Sequence, residues 1–308
     1  MDKKSICAVV VTYNRKKLLL RCLQALEQQS YLLDHIVIVN NASTDGTVDF
    51  LEKQGYLENP RVTLLDLSEN QGGAGGFHAG IQFAYEQGYD YIWLMDDDGY
   101  PEINCLKELA SYLSNNSYIG PVVIDSKTKE KLSFSIRLPN SLVVFDTYDS
   151  LRNFEKNNKT IQKLILPFNG TLMSRELISK IGLPFKDYFI WGDDMEYTWR
   201  AAKSDIDICT VISAKFFHPR EKTLGSPMFF NLLKFNDTDS KIKLYCMCRN
   251  NTRNLIDYKG SLIAFLFCFK VFWFYLFTKF NLSKLKIAVE GIIAGITNNF
   301  TKHRFYLS

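Results

Sequence analysis

The sequence predicts an α/β fold, namely an open, mostly parallel twisted sheet flanked by helices and followed by a C-terminal helical region. Over roughly the first 100 residues, short apolar runs alternate with segments whose apolar residues have helical spacing. The runs are continuous and rich in β-branched residues, as is usual for parallel strands buried on both faces. Beyond about residue 227 the composition changes, and residues 261–280 are crowded with Phe, Leu, Trp and Tyr. We therefore assign residues 1–226 to a sheet domain and residues 227–308 to a helical region.

The predicted elements alternate in the order that such a sheet requires. Strands are predicted over residues 6–11, 36–39, 62–65 and 91–95. Helices are predicted over residues 18–29, 77–87, 104–114 and 175–181, and in the C-terminal region over residues 240–257, 261–280 and 284–300. Residues 120–166 have the mixed composition of strands and loops. Because open α/β sheets bind ligands at the carboxyl ends of their strands, functional residues are expected there.

The composition is that of an ordinary folded protein, with 46% hydrophobic residues, 23% charged residues and a formal net charge of +4. Disordered and collagen-like classes are excluded, and no nucleic-acid partner is expected. The seven cysteines form no Cys-x-x-Cys pair, which disfavours a zinc site or a disulfide framework and favours a reducing compartment. The apolar run at residues 6–11 is too short for a secretory signal, so a cytoplasmic location is expected.

Three consecutive aspartates, Asp96, Asp97 and Asp98, directly follow the fourth predicted strand. Neighbouring carboxylates repel one another and destabilise the fold unless a cation neutralises them. Mg²⁺ and Mn²⁺ bind carboxylates together with substrate phosphates, so the triplet predicts a metal site that also holds a diphosphate. If the extended backbone continues, strand alternation places Asp96 and Asp98 on the same side. The alternative is a solvated acidic turn.

A second acidic segment contains Asp193, Asp194 and Glu196 next to Trp191. An indole face can stack on the apolar face of a sugar, and a carboxylate can accept the proton of an acceptor hydroxyl as a general base. The alternative is a helix N-terminus, where acidic residues face the positive end of the helix dipole. The two interpretations are compatible, because a residue in the first helical turn can also be a base.

Three further signals are weaker when taken alone. A glycine-rich loop at residues 70–76, which contains Gly72 and Gly73, can bring backbone N–H groups to a phosphate, but such loops are also common turns. Arg15 follows the first strand and can contact a phosphate or remain a solvated charge. A lone histidine such as His218 is usually structural. It becomes a candidate third metal ligand beside the aspartates, where imidazole suits Mn²⁺ better than Mg²⁺.

Four segments, in order, resemble family 2 of the inverting glycosyltransferases, which has the GT-A fold. They are residues 9–15, 38–47, 96–98 and 192–196 with Arg200, and the resemblance covers roughly residues 5–220. Two features look most like bacterial galactofuranosyltransferases. They are the glycine-rich loop followed by residues 93–98, and residues 191–196 with the later His218. Rhamnosyltransferases of the same family are near relatives.

The resemblance implies a role for each matching residue. The donor site would comprise Thr12, Tyr13, Arg15, Asn40, Asn41, Gly72, Gly73, Asp96 and Asp97, with Asn40 and Asn41 near uracil. The metal, Mn²⁺ or Mg²⁺, would be held by Asp96, Asp98 and His218. Asp194 would be the catalytic base with Asp193 beside it, while Trp191 and Glu196 would contact the acceptor.

The sequence departs from the family at two positions. Many members carry aspartate where Asn40 stands, and although an Asn carbonyl can still accept the uracil N–H, selection between uridine and thymidine stays open. Gly192 stands where the galactofuranosyltransferases place tryptophan.

The implied activity is metal-dependent, inverting transfer of galactofuranose from UDP-galactofuranose to a lipid-linked or polysaccharide acceptor in bacterial surface glycan synthesis. A rhamnosyltransferase that uses dTDP-rhamnose is one alternative, and a non-catalytic membrane-associated scaffold with a decayed transferase domain is another. A nucleotide-sugar pyrophosphorylase is disfavoured, because residues 12–17 lack the glycine- and arginine-rich loop that it would need.

Residues 261–280 form an apolar segment nearly long enough to span a bilayer. Lys270 at its centre disfavours spanning, and lysine and arginine residues flank the segment. A helix that lies in the membrane interface is therefore predicted, which makes the protein peripheral on the inner face of the cell membrane. The alternatives are a buried helical subdomain or an aromatic oligomer interface, so a homo-oligomer stays open.

Overall fold

The computed structural model describes residues 4–114, 117–155, 158–165, 167–220 and 225–307. The chain separates into two compact units. The first unit comprises Met1–Gln71, Gly76–Leu183 and Arg200–Arg220, and the second comprises Gly72–Gly75, Pro184–Trp199 and Glu221–Ser308. Two short segments that precede residue 226 thus belong to the second unit, and the division into two domains at that residue stays a prediction.

The first unit is built on strands that alternate with helices. Its strands are β1 (Ile6–Thr12), β2 (His35–Asn40), β3 (Val62–Asp66), β4 (Tyr91–Asp96), β5 (Tyr100–Pro101), β6 (Tyr118–Asp125), β7 (Lys131–Arg137), β8 (Val144–Thr147), β9 (Thr160–Gln162), β10 (Thr171–Ser174) and β11 (Ile208–His218). The helices in this part of the chain are α1 (Lys16–Glu27), α2 (Thr47–Lys53), α3 (Gly72–Glu86), α4 (Cys105–Ala110), α5 (Tyr148–Glu155), α6 (Arg175–Ile181) and α7 (Asp193–Lys203). Helix α5 differs from the strands and loops that the mixed composition of residues 120–166 predicted.

The main sheet has the strand order β3-β2-β1-β4-β10-β6-β11-β5. Strand β1 pairs in parallel with β2 and β4, and β2 with β3, whereas β10 is antiparallel to both β4 and β6. Every residue of β1 is buried, as the continuous apolar run predicted. The predicted fold class, a mostly parallel sheet flanked by helices, is confirmed. The parallel strands β1, β2, β4 and β11 end at Thr12, Asn40, Asp96 and His218, so one edge of the sheet collects the candidate residues.

The predicted glycine-rich loop is wrong in its secondary structure, because helix α3 already begins at Gly72. Its glycines allow the helix to lie directly on strand β1. A Cβ on Gly76 would come within 2.5 Å of Val11 Cγ1, and a Cβ on Gly80 within 2.4 Å of Val9 Cγ1. Close helix–sheet packing therefore explains these two glycines without any ligand.

The second unit contains the hairpin strands β12 (Ser226–Met228) and β13 (Leu233–Phe235) and the helices α8 (Lys241–Lys259), α9 (Ser261–Trp273) and α10 (Leu282–Ile296). Helix α10 packs closely on α8, since a Cβ on Gly291 would lie 2.6 Å from the Tyr245 carbonyl oxygen. The predicted C-terminal helical region is confirmed. By length and composition, Ser261–Thr278 is the single helical span among the described residues that is apolar enough to cross a membrane.

Candidate active site

The loops that follow β1 and β2 are joined to each other by hydrogen bonds. The Asn41 N–H donates to the Thr12 carbonyl at 2.9 Å, and the Asn14 N–H donates to Ser43 Oγ at 2.9 Å. The Thr44 N–H donates to Asn14 Oδ1 at 2.7 Å. Asn14 lies in the left-handed region with a φ of 54°, which asparagine tolerates better than most residues. These loops form a fixed rim at the carboxyl edge of the sheet.

The three aspartates do not continue the strand. Strand β4 ends at Asp96, and Asp97 and Asp98 form a turn in which the Gly99 N–H approaches the Asp96 carbonyl at 3.4 Å. The alternation that would place Asp96 and Asp98 on one side therefore does not apply. A Cβ on Gly99 would come within 2.3 Å of the Phe216 ring, so the close approach to β11 requires glycine at this turn.

Asp97 is buried at 3% exposure and binds other parts of the protein. Its Oδ2 accepts a hydrogen bond from Thr12 Oγ1 at 2.7 Å, and its Oδ1 lies 3.3 Å from Arg15 Nη1. Burial raises its pKa to about 6, although Thr12 and Arg15 both favour the charged form. Asp97 thus fixes Thr12 and Arg15 relative to the triplet.

Asp96 is half-buried, and its negative charge is poorly compensated. Burial and then the charges of Asp98 and Asp97 raise its pKa to about 7, whereas His218 and Arg15 lower it. A divalent cation would reverse this balance, because it becomes the largest local charge and favours ionised carboxylates.

Asp98 lies between two basic groups. Its Oδ2 is 2.8 Å from Arg15 Nη1, and its Oδ1 is 3.0 Å from His218 Nε2. The second contact has the distance of an ion pair, and the Asp98 Oδ1 that makes it is buried. Burial opposes ionisation of both groups, yet their mutual attraction lowers the pKa of Asp98 and raises that of His218.

The donor atoms of this pair fit a hard divalent cation. His218 Nδ1 lies 2.8 Å from the Pro219 carbonyl and donates its proton there, which leaves Nε2 for a ligand in the neutral ring. Nε2 faces the buried Asp98 Oδ1, so a cation between them would have one nitrogen and one oxygen ligand from the protein. Within the described ranges, no three Asp, Glu, His or Cys side chains lie close enough together to form a complete metal site. Mg²⁺ and Mn²⁺ are commonly bound by one or two carboxylates together with substrate phosphates.

The remaining predicted nucleotide residues differ in exposure. Tyr13 is 43% exposed, whereas Asn40 and Asn41 are buried. Asn40 Nδ2 donates to Asp66 Oδ1 at 2.7 Å, and Asn40 Oδ1 accepts from the Ser43 N–H at 3.2 Å. Asn41 Oδ1 accepts from the Gln71 N–H at 2.9 Å. Both amide side chains therefore already hold the loops, and their contact with a base stays a prediction.

The predicted phosphate contacts of Gly72 and Gly73 also stay predictions. A Cβ on Gly72 would lie 2.0 Å from the Phe189 carbonyl oxygen, and the Ala74 N–H donates to that oxygen at 3.1 Å. Gly73 has open space around it. One backbone N–H in the first turn of α3 thus already donates to an acceptor within the protein.

The second acidic segment begins a helix, since α7 starts at Asp193. Asp194 Oδ1 accepts from the Met195 N–H at 2.7 Å, and burial raises the pKa of Asp194 above its ordinary value. Asp193 is buried. A carboxylate with a raised pKa accepts a proton more readily, which is what a general base requires. Both the base and the helix N-terminus interpretations agree with this placement.

Trp191, Gly192 and Glu196 surround the start of α7. Trp191 and Gly192 have positive φ angles of 62° and 96°, and a Cβ on Gly192 would approach the Asn250 Cβ at 3.2 Å. The glycine that departs from the family pattern therefore fits its backbone here. Glu196 is 1% exposed and accepts from the Tyr258 hydroxyl at 2.5 Å. This placement favours a supporting role for Glu196, and its acceptor contact stays a prediction.

Three functional residues of helix α8 were not predicted from the sequence, namely Arg249, Asn250 and Asn254. These side chains are fully buried and bind the backbone that leads to Asp194. The sequence signal for these residues was the presence of polar residues in a helix that also contains the apolar residues Leu244, Tyr245 and Met247. Polar side chains that are buried with such residues need specific hydrogen-bond partners.

The comparisons with known proteins agree with this geometry. The galactofuranosyltransferase GlfT1 of Mycolicibacterium smegmatis is 29% identical over 250 residues, which is 80% of this chain and 81% of that protein. The dTDP-rhamnosyl transferase RfbF of Shigella flexneri is 27% identical over 221 residues, covering 70% and 69% of the two chains. The crystal structure of GalNAc-T7 with UDP, GalNAc and Mn²⁺ has a similar fold, with a TM-score of 0.61, 14% identity and coverage of 97% of this chain and 58% of that one.

The family resemblance of the sequence is thereby confirmed, and the fold is of the GT-A type. The family model described as glycosyl transferase family 2 matches residues 7–182, which is more than half of the chain. The chain therefore belongs to glycosyl transferase family 2 and is a glycosyltransferase.

Proposed function

We propose that this enzyme transfers galactofuranose from UDP-galactofuranose to a lipid-linked or polysaccharide acceptor, with inversion at the anomeric carbon and with the help of Mn²⁺ or Mg²⁺. The observation that carries the metal-dependent part is the buried Asp98 Oδ1, which faces His218 Nε2 at 3.0 Å directly after Asp96 and Asp97 in the chain. The choice of sugar is supported by the similarity to GlfT1 over 80% of the chain.

Asp98 and His218 would hold the metal together with oxygens of the diphosphate, and the predicted third ligand, Asp96, would have to move closer to complete the set. When it is bound, the metal supplies positive charge to the departing diphosphate. Arg15 carries the permanent positive charge nearest to the triplet and would bind a phosphate oxygen. Asp97 would keep Arg15 and Thr12 in place through the contacts described above.

Asp194 would be the catalytic base. Asp194 accepts the proton of the acceptor hydroxyl while that oxygen forms a bond to the anomeric carbon and the bond to the UDP oxygen breaks. The base must be ionised before the reaction, and its raised pKa brings its proton affinity closer to neutral pH. Asp193 and Trp191 would shape the acceptor site.

A donor screen tests the sugar and the nucleotide. We expect UDP release with UDP-galactofuranose, a lipid-linked acceptor and Mn²⁺ or Mg²⁺, at a rate at least about 100-fold above that with dTDP-rhamnose, since hydrogen-bonding sites can discriminate substrates that strongly. Preference for dTDP-rhamnose would favour the rhamnosyltransferase alternative, which the similarity to RfbF also supports. Absence of nucleotide release with every donor would favour the non-catalytic scaffold.

We also propose that the outer face of α9 lies in the membrane interface on the inner side of the cell membrane. Leu262, Phe265, Leu266 and Phe269 follow helical spacing and are 48–70% exposed. The opposite face packs in the core of the second unit through residues such as Val271. A helix that is apolar on both faces needs a second apolar environment, and a lipid-linked acceptor would be found at a membrane surface. Lys279 and Lys284 pair with Asp237, which reduces their attraction to anionic lipids. Membrane binding is therefore expected to depend more on insertion of the apolar side chains than on these two charges.

Glutamate at both Phe265 and Phe269 should abolish this membrane binding. We expect the wild type to co-sediment with phosphatidylglycerol vesicles and the double variant to bind at least about tenfold more weakly, because burial of each phenylalanine contributes about 1.5–3 kcal/mol. Glutamate at the exposed Leu142 and Val143 adds the same charge elsewhere and should leave binding unchanged. Equal binding of both double variants would rule out insertion of α9.

A further inference from the structure

We infer that helix α8 positions the catalytic base, so that Arg249, Asn250 and Asn254 are positioning residues for sugar transfer. We call these three side chains the α8 clamp, and residues 187–194, which lead to the base, the base segment. The inference rests on the proposed role of Asp194. It assigns to the C-terminal region a part in the reaction that is separate from membrane binding.

The α8 clamp binds five backbone carbonyls of the base segment. Asn250 Nδ2 lies 3.0 Å from the Tyr188 oxygen, 3.1 Å from that of Ile190 and 2.6 Å from that of Trp191. Arg249 Nη2 donates to the oxygens of Asp187 and Tyr188, at 3.1 and 2.8 Å. Asn254 Nδ2 donates to the Gly192 oxygen at 2.8 Å. The contacts reach the residue directly before α7, whose second residue is Asp194.

The backbone of the base segment needs such partners. Phe189, Trp191 and Gly192 have φ angles of 64°, 62° and 96°, so its carbonyls cannot form a regular helix or strand ladder. Buried carbonyls without donors are costly, and left-handed conformations persist only where surrounding contacts determine them. The α8 clamp supplies those contacts from fully buried side chains.

The α8 clamp is itself held in one orientation. Arg249 Nε donates to Asn250 Oδ1 at 2.8 Å, and the Tyr188 hydroxyl donates to Asn254 Oδ1 at 2.6 Å. Arg249 Nη1 lies 3.2 Å from the Phe300 carbonyl. Both amide oxygens thus have donors, which fixes which end of each amide faces the base segment. A connected network of this kind determines the direction in which the first turn of α7 presents Asp194.

Asn250→Asp tests the inference with almost no change in volume. The carboxylate still accepts from Arg249 Nε, but it cannot donate to the three carbonyls, so the base segment loses its central partner. We expect kcat to fall about 100-fold, since misplacement of a reacting group by about 1 Å can cost that much. The KM for UDP-sugar and the slow hydrolysis of the donor by water should stay within about twofold of wild type, because Asn250 contacts none of the predicted donor residues among the described residues.

Asn251→Asp is the matched control, because it makes the same change at the next residue of α8, for which no contact with the base segment is seen among the described residues. It should retain wild-type kcat. If Asn250→Asp does not fold, Tyr188→Phe removes only the hydroxyl that orients Asn254, and kcat should then fall about three- to tenfold with an unchanged donor KM. The inference is overturned if the folded variant retains the kcat of its control, or if kcat, donor hydrolysis and donor KM all deteriorate together. Failure of the wild type to transfer sugar would instead reject the proposed function.

Discussion

Asparagine in place of Asp194 is expected to abolish sugar transfer while UDP binding remains nearly intact. The change preserves the shape of the side chain and its acceptor for the Met195 N–H, but an amide cannot take a proton from the acceptor hydroxyl. General-base catalysis typically contributes a factor of about 10²–10⁴, so kcat should fall by at least about 100-fold. Burial raises the pKa of Asp194 above its ordinary value, which increases the proton affinity of the carboxylate.

The measurement is UDP release under saturating donor and acceptor, together with calorimetric titration of UDP in the presence of Mn²⁺. Asp149→Asn, at an exposed position in helix α5, makes the same chemical change and should retain full turnover. Turnover of the Asp194 variant above about a tenth of the wild type would remove Asp194 from the role of base, because general-base catalysis contributes far more.

Several features of the fold were predictable because they depend on neighbouring residues in the chain. The continuous apolar run before Thr12 predicted a buried parallel strand, and the structure has β1 there with every residue buried. The same reasoning located the ends of β2 and β4, and with them Asn40 and Asp96. Motif order then predicted the family, because each motif lies at a strand end or helix start whose position local pattern determines.

Other features depend on contacts between distant segments and could not be predicted. The pairing of His218 with Asp98 requires β11 to be placed in the sheet, which local pattern does not determine. The turn at Asp97 is determined by Thr12 and Arg15, which bury a carboxylate that alternation would have pointed away. The helical glycines of α3 reflect close packing on β1 rather than loop chemistry.

The role of the α8 clamp could not be predicted from the sequence, because it depends on tertiary contacts. Arginine and asparagine in a helix usually face solvent, and only the tertiary structure shows that Arg249 and Asn250 are fully buried. Their partners are backbone carbonyls, which have no sequence signature. The C-terminal region therefore looked like a membrane-binding segment alone, although it also supports the residues before Asp194.

Asparagine in place of Asp98 is expected to remove the metal dependence of UDP binding. The variant keeps a carbonyl oxygen of the same size but loses the negative charge that faces His218 Nε2 and Arg15 Nη1. Loss of an outer-shell partner already weakens metal binding by roughly 10–100-fold, so loss of a proposed ligand should weaken UDP binding in Mn²⁺ by at least about 100-fold. Metal-free UDP binding should not weaken, since one negative charge fewer faces the diphosphate.

Calorimetric titrations of UDP with Mn²⁺ and with EDTA separate these two effects of the Asp98 substitution. The control is Asp205→Asn, at an exposed residue whose φ of 51° asparagine also accepts, and it should bind UDP in Mn²⁺ as the wild type does. If the Asp98 variant keeps a tight, Mn²⁺-dependent UDP complex, the pair formed with His218 is an ion pair of the fold and not a metal site. The placement of His218 Nε2 3.0 Å from the buried Asp98 Oδ1 argues for the metal site, because Mn²⁺ accepts imidazole and carboxylate ligands together with phosphate oxygens.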